Sequence, residues 1–182
     1  MVALASVVAY HVFMNEVAQL LNAMVADGVI SAYAVFGAVA QMRYTEAVAT
    51  LDADILVAVP DSDRLDILTP IYEYCSKRGY DPEGEAVRVG AWPVQFIPVF
   101  DALTQAALQN ADVGDVDGIP FSVVRADYLA VIALSVGRAK DLTRVLALLE
   151  SESVSAQDIE QLSAEHGLLA KWHAFKERFP DA

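Results

Sequence analysis

The chain reads as an α/β or α+β domain: a small mixed β-sheet with interspersed and flanking helices, followed by a helical C-terminal part. Three observations predict this. The run from Ala53 to Val59 is nearly continuous aliphatic and β-branched, as a central strand covered on both faces requires, and Pro60 stops it. Gly90-Ala91 and Asp117-Gly118 each separate two short apolar runs and mark hairpins. From Arg125 onward the pattern turns helical and stays so, with breaks at Gly137 and at Ser151 to Ser155. The organisation expected is an N-terminal helix in 1–30, a core carrying the sheet in 31–124 and a helical segment in 125–182, packed as one unit.

Val17, Leu20, Leu21, Met24 and Val25 give the first helix an apolar stripe, and Asp27-Gly28 ends it. Ahead of them the apolar stretch Met1 to Met14 lacks the basic start and small-residue cleavage site of a signal peptide. Asn15 and Glu16 also interrupt it before it reaches the roughly 20 apolar residues of a membrane span. No membrane association is expected. Ser31 to Phe36 predicts a short strand, Gly37 a turn and Ala38 to Thr45 a helix. After the strand at Ala53 to Val59, Asp61 or Ser62 is placed to cap a helix reaching Arg78, with Leu65 on its apolar side, Pro70 kinking or breaking it and Gly79 stopping it. Glu85 to Val89 and Trp92 to Pro98 form the first hairpin, and the prolines place parts of its second strand near an edge. A helix over Asp101 to Asn110, a small hairpin over Val116 to Val123, and helices over Ala126 to Val136, Ala139 to Leu149, Ser155 to Glu165 and Leu168 to Phe179 complete the chain.

Composition excludes several functions. With 182 residues, 55% of them hydrophobic and 20% charged, the chain is long enough for one packed core and too apolar to be disordered. A net charge of −13 argues against broad electrostatic capture of a nucleic-acid backbone and leaves room only for a local basic pocket. The single cysteine, Cys75, permits no intramolecular disulfide and fits a reducing cytoplasm. His11, His166 and His173 have no ligand spacing, so zinc is not expected. Neither a Gly-x-Ser-x-Gly elbow nor a Gly-rich phosphate loop ending in Lys-Ser/Thr occurs.

What remains is the pair Asp52 and Asp54. One residue apart at the mouth of a strand, they point to the same side, with Cα atoms roughly 6.5–7 Å apart. That spacing suits oxygen ligands flanking one hard cation or two.

The order hydrophobic-Gly-small, then Asp-x-Asp opening an apolar strand, resembles the signature of the polymerase-beta-type nucleotidyltransferase superfamily. It is carried by Phe36-Gly37-Ala38, thirteen intervening residues and Asp52-Ala53-Asp54-Ile55, with Thr50 two positions before the first acid. A second segment, Gly137-Arg138-Ala139-Lys140-Asp141-Leu142-Thr143-Arg144, resembles the Arg-x-Lys-Asp element in the C-terminal helices of the bacterial toxin-antitoxin and abortive-infection branches. The resemblance implies a nucleotidyltransferase fold and transfer of a nucleotidyl group from a nucleoside triphosphate, dependent on Mg²⁺ or Mn²⁺. The acceptor it implies is unidentified, a partner protein (toxin or antitoxin) or an RNA end. On this reading Asp52 and Asp54 are the catalytic residues and hold the metal. Gly37, Ala38, Arg43, Thr50, Gln95, Arg138, Lys140 and Asp141 form the nucleotide site. Two positions depart from the pattern: Ala38 stands where Gly or Ser is usual, and Gln95 stands where a third carboxylate is expected from the neighbouring strand. A catalytically inactive module of the same fold, acting as an antitoxin-like binding partner, is the alternative that these departures motivate.

Each residue also has a purely structural reading. Asp52 and Asp54 can be solvated acids at a strand entrance, Gly37 a turn residue, Gln95 a structural amide, Lys140 and Asp141 an ordinary helix start, and Arg43 and Arg138 counter-charges to nearby acids.

Overall fold

The computed structural model describes residues 2–46, 48–60 and 67–180, with side chains from Met14 onward. A long helix, α1 (Val2–Ala26), precedes β1 (Ala32–Phe36), the short α2 (Gly37–Gln41) and β2 (Ala53–Ala58). Next come α3 (Thr69–Lys77), β3 (Pro82–Glu83), β4 (Ala86–Val89), β5 (Trp92–Pro98) and α4 (Ala102–Gln109). The chain continues through β6 (Asp112–Val116) and β7 (Ile119–Val123). It ends in α5 (Ala126–Val136), α6 (Ala139–Glu150), α7 (Ala156–Glu165) and α8 (Leu169–Arg178). Among the described residues, no helix is long and apolar enough to cross a membrane.

Among the described residues, seven strands form one mixed sheet in the order β3-β4-β5-β2-β1-β7-β6. β1 runs antiparallel to β2, with Phe36 opposite Asp54, while β2 runs parallel to β5, with Asp54 opposite Gln95. β2 is thus central, and its buried Ile55, Leu56 and Val57 explain the uninterrupted apolar run. β5 lies between β4 and β2, but its pairing with β4 covers only Trp92, Pro93 and Val94 while that with β2 runs on to Pro98, so the part of β5 that carries Pro98 is the part near an edge. Pro93 and Pro98 are its second and last residues, so the missing N–H groups fall near its ends, where a ladder tolerates them.

Local chemistry accounts for most boundaries. Asp117 and Gly118 both have positive φ, at 52° and 82°, the pairing that a two-residue turn between β6 and β7 demands. Asp101 accepts a bond from the backbone N–H of Thr104 at 2.7 Å to open α4, and Ser155 and Asp158 cap α7 in the same way. Gly137, at φ 73°, closes α5. Pro70 lies in the first turn of α3, where its missing N–H removes no intrahelical bond, rather than in mid-helix. The expected cap at Asp61 or Ser62 and the contact of Leu65 lie outside the described residues. The helix expected over Ala38 to Thr45 is shorter, because the backbone tightens into turns after Gln41.

Helix α5 is buried from Tyr128 to Leu134, apolar on every side, and packs against α4, α6, α7 and α8 and against α2. It therefore carries α6 to the sheet through α2. α1 covers the other end, where its Asn22 accepts a bond from the Tyr33 hydroxyl at 2.8 Å. Tyr33 and Phe36 lie on opposite faces of β1 by the period of two, so Asp54, the partner of Phe36, lies on the face turned away from that contact.

Candidate active site

Three segments meet on this face. The first is the end of β1, where Gly37 takes φ 65° and turns the chain directly into α2. A Cβ on Gly37 would overlap the Oδ2 atom of Asp54, so the turn is glycine both for its left-handed backbone and for the carboxylate packed against it. Gly37→Ala is expected to lower stability by about 1–3 kcal/mol, from backbone strain plus displacement of Asp54. Chemical denaturation of the variant beside wild type measures this.

The second segment is the approach to β2. The Thr50 hydroxyl donates to the backbone oxygen of Asp52 at 3.0 Å and lies 3.2 Å from its Oδ1, which fixes the carboxylate before the strand begins. Burial, and then the charge of Asp52, push the Asp54 carboxyl above its ordinary value, while Arg144, Lys140 and Arg138 pull it back down. Three cations thus act on one half-buried acid.

The third segment, the start of α6, supplies those cations. Arg138 Nε lies 2.7 Å from Asp141 Oδ2, and its backbone N–H also donates to that oxygen at 3.2 Å. Burial alone would raise the Asp141 carboxyl, but these bonds and the Arg138 charge outweigh it and hold the group below its ordinary value. With a side chain only 3% exposed, Asp141 anchors Arg138, whose own side chain is 62% exposed. Lys140 is exposed beside it. One turn on, Arg144 Nε donates to Gln41 Oε1 at 3.0 Å and ties α6 to α2.

Gln95, paired with Asp54 across β2 and β5, shares its face of the sheet. A cleft of about 340 Å³ lined by Leu51, Asp52, Glu83, Glu85, Ala86, Pro93 and Gln95 opens there. Glu83 is engaged by Arg88 at 2.6 Å, which leaves Asp52 and Glu85 as the acids of the cleft without that counter-charge. Glu85 and Gln95 also line an adjoining cleft of about 490 Å³ with Leu68, Tyr72 and Phe96. Among the described residues, no three His, Cys, Asp or Glu side chains converge as a metal site.

The structure therefore brings together Gly37, Thr50, Asp52, Asp54 and Gln95, with Arg138, Lys140 and Asp141 from α6. Ala38 sits in the first turn of α2 and offers only its backbone. Arg43 is placed elsewhere: its Nη1 lies against Gly114 on β6, and its charge acts on Tyr44. Sequence reasoning did not single out Gln41 or Arg144 as site residues. The signal for Arg144 was its i+4 spacing from Lys140, which puts both on one helix face; Gln41 has no local signal.

A central strand opening with paired acids, a glycine turn packed on one of them and helix-borne cations acting on Asp54 sit in a fold that solved structures share. Comparison with solved structures gives the same fold. The antibiotic-resistance factor ANT(2'')-Ia superposes with a TM-score of 0.51 at 13% identity over 90% of this chain and 95% of that one. An antigenic nucleotidyltransferase-like protein from Paracoccidioides brasiliensis matches at 0.50 and 12% identity, over 88% and 93%. ANT(2'')-Ia in complex with adenylyl-2''-tobramycin matches at 0.50 and 13%, over 88% and 95%. No protein-family profile matches the chain, and no curated protein does.

Proposed function

We propose that this protein transfers a nucleotidyl group from a nucleoside triphosphate to an acceptor, with Asp52 and Asp54 as the centre of the site. The observation that carries this reading is the packing of Asp54 between Gly37 and Gln95, under the charges of Arg144, Lys140 and Arg138. The likeness in fold to a nucleotidyltransferase-like protein and to ANT(2'')-Ia in complex with adenylyl-2''-tobramycin supports it.

The donor set fits a divalent cation of the Mg²⁺ or Mn²⁺ kind. Magnesium sites on nucleotides use one or two carboxylates and take further oxygens from the phosphates. Two carboxylates and the Gln95 amide are what this face offers. The chemistry such a cation supplies is neutralisation of triphosphate charge and alignment of an in-line displacement. The chain's own contribution is positional. Thr50 fixes Asp52, Gly37 lets backbone approach the ligand, and Arg138, held by Asp141, joins Lys140 in offsetting phosphate charge. Glu85 lines the cleft beside Asp52 and Gln95.

Labelled ATP, GTP, CTP and UTP with Mg²⁺ or Mn²⁺, offered to the protein itself, to RNA ends and to cell extract, test this. Metal-dependent incorporation that disappears in Asp52→Ala is the expected outcome. Nucleotide binding that is equal in wild type and Asp52→Ala would overturn the assignment of the centre. A second reading keeps the fold without turnover, as a cytoplasmic binding or regulatory module of the antitoxin kind. The neutral Gln95 in register with Asp54 favours it. Binding without incorporation would decide for it.

A further inference from the structure

Arg144 differs from the other two cations of the site. Arg138 is committed to Asp141, and Lys140 is exposed. Arg144 is half-buried in the second turn of α6, and burial pushes its guanidinium below its ordinary value. Among the described residues its one hydrogen-bond partner is Gln41 Oε1, and no carboxylate lies within 4.0 Å of it. Asp141 and Asp54 act on it only through space.

A guanidinium has five N–H donors in a planar fork, and a partly buried cation is costly unless those donors are met. A structural arginine in this position would ordinarily be matched by a carboxylate. Here the partner is a neutral amide, on a residue only 5% exposed at the end of α2. The amide fixes the plane of the guanidinium through Nε without consuming its charge, and the Nη groups stay available. Four residues earlier α2 begins at Gly37, against Asp54. The holder of Arg144 and the glycine turn thus belong to one five-residue element. A charged planar fork, oriented by a neutral residue and within electrostatic reach of Asp54, is matched by an oxyanion that brings its own negative charge, and phosphate accepts such a fork in bidentate fashion.

We propose that Arg144, oriented by Gln41, binds a phosphate group of the nucleotide; the inference rests on the nucleotidyl-transfer reading. Gln41 is the positioning residue and Arg144 the contact. Charge alone does not suffice in this arrangement, so lysine does not replace Arg144 in full.

Calorimetric titration with inorganic tripolyphosphate, ATP and GTP, each with Mg²⁺, tests it on wild type, Arg144→Met, Arg144→Lys and Gln41→Leu, with melting temperatures taken in parallel. Affinity for tripolyphosphate is expected to fall about 10- to 100-fold in Arg144→Met, as loss of hydrogen bonds to a charged group implies. Gln41→Leu, which keeps the charge and loses its orientation, and Arg144→Lys should fall about 3- to 10-fold at a wild-type melting temperature. If wild type binds these probes and the Arg144 variants bind within twofold of it, the pair is a structural tie between helices and the proposal is overturned. Should Arg144→Met not fold, Arg144→Lys decides by the same criterion. Wild type binding none of the three probes would bring down the nucleotide reading itself, and this proposal with it.

Discussion

Asp54→Asn is expected to abolish metal-dependent nucleotide binding and at the same time raise the melting temperature. The two effects share one cause. The Asp54 carboxyl titrates above its ordinary value of 3.8 because burial, and then Asp52, disfavour its charge. A carboxylate raised in the folded state stabilises that state below its unfolded value, and the contribution is lost as pH rises through the folded one. At neutral pH the folded protein thus carries the full penalty of an ionised Asp54, and asparagine removes it. A gain of about 0.5–2 kcal/mol is typical when a functional strain is relieved, and each kcal/mol moves the midpoint of a chain this long by about 2–4 °C. The gain should shrink as pH falls toward 3.8, where wild type is relieved by protonation. Thermal melts at pH 4 and pH 7 beside nucleotide titrations measure all three parts. A variant less stable than wild type at pH 7 would mean that the Asp54 charge is satisfied in the fold rather than held in reserve for a ligand.

Gln95→Asp is expected to do the reverse. Asp54 and Gln95 are paired on neighbouring strands and share a face, so a carboxylate at 95 lies about one strand spacing, roughly 4.8 Å, from Asp54. Without a cation, three acids repel and the melting temperature should fall. With a divalent cation and nucleotide the added charge becomes attractive, and a few kcal/mol of Coulomb energy at an effective dielectric of about 20 allows a gain of about 10-fold or more in metal affinity. Melts in chelator and in Mg²⁺ with ATP or GTP should therefore move in opposite directions, and transfer activity should rise or appear. If neither melt moves, position 95 lies outside the ligand's reach, and the neutral residue there says nothing about turnover.

Much of this fold was legible because its signals are local. The Asp117-Gly118 turn, the Gly37 turn and the stop at Gly137 each follow from a backbone requirement that a single residue meets. α5 appears over the span that its apolar periodicity marks, Ala126–Val136. Local rules fell short where they met the sheet. The prolines marked parts of β5 as near an edge, as its Pro98 end is, but strand order depends on pairing partners distant in sequence, and a proline near a strand end does not reveal which strands flank it. The strand Pro82–Glu83 exists only because β4 is there to pair with it. In the site, the two acids drew attention through their spacing; Asp54 lies in β2 and Asp52 in the bend just before it. Arg43 shows the limit: helical spacing from the glycine turn suggested the site, but the backbone turns after Gln41 and the side chain runs to Gly114 instead. Arg144 and Gln41 show its counterpart, a pair that no motif marks and only the docking of α6 on α2 creates.

The bond from Arg144 to Gln41 closes a loop of 103 residues. Contacts of such range come at a high loop-closure cost and form when little of the chain is left to order. The glycine turn and the acidic strand can be in place while the opposite wall of the site is still missing. Because α6 follows the sheet in the chain, the paired acids are synthesised before the cations that act on Asp54.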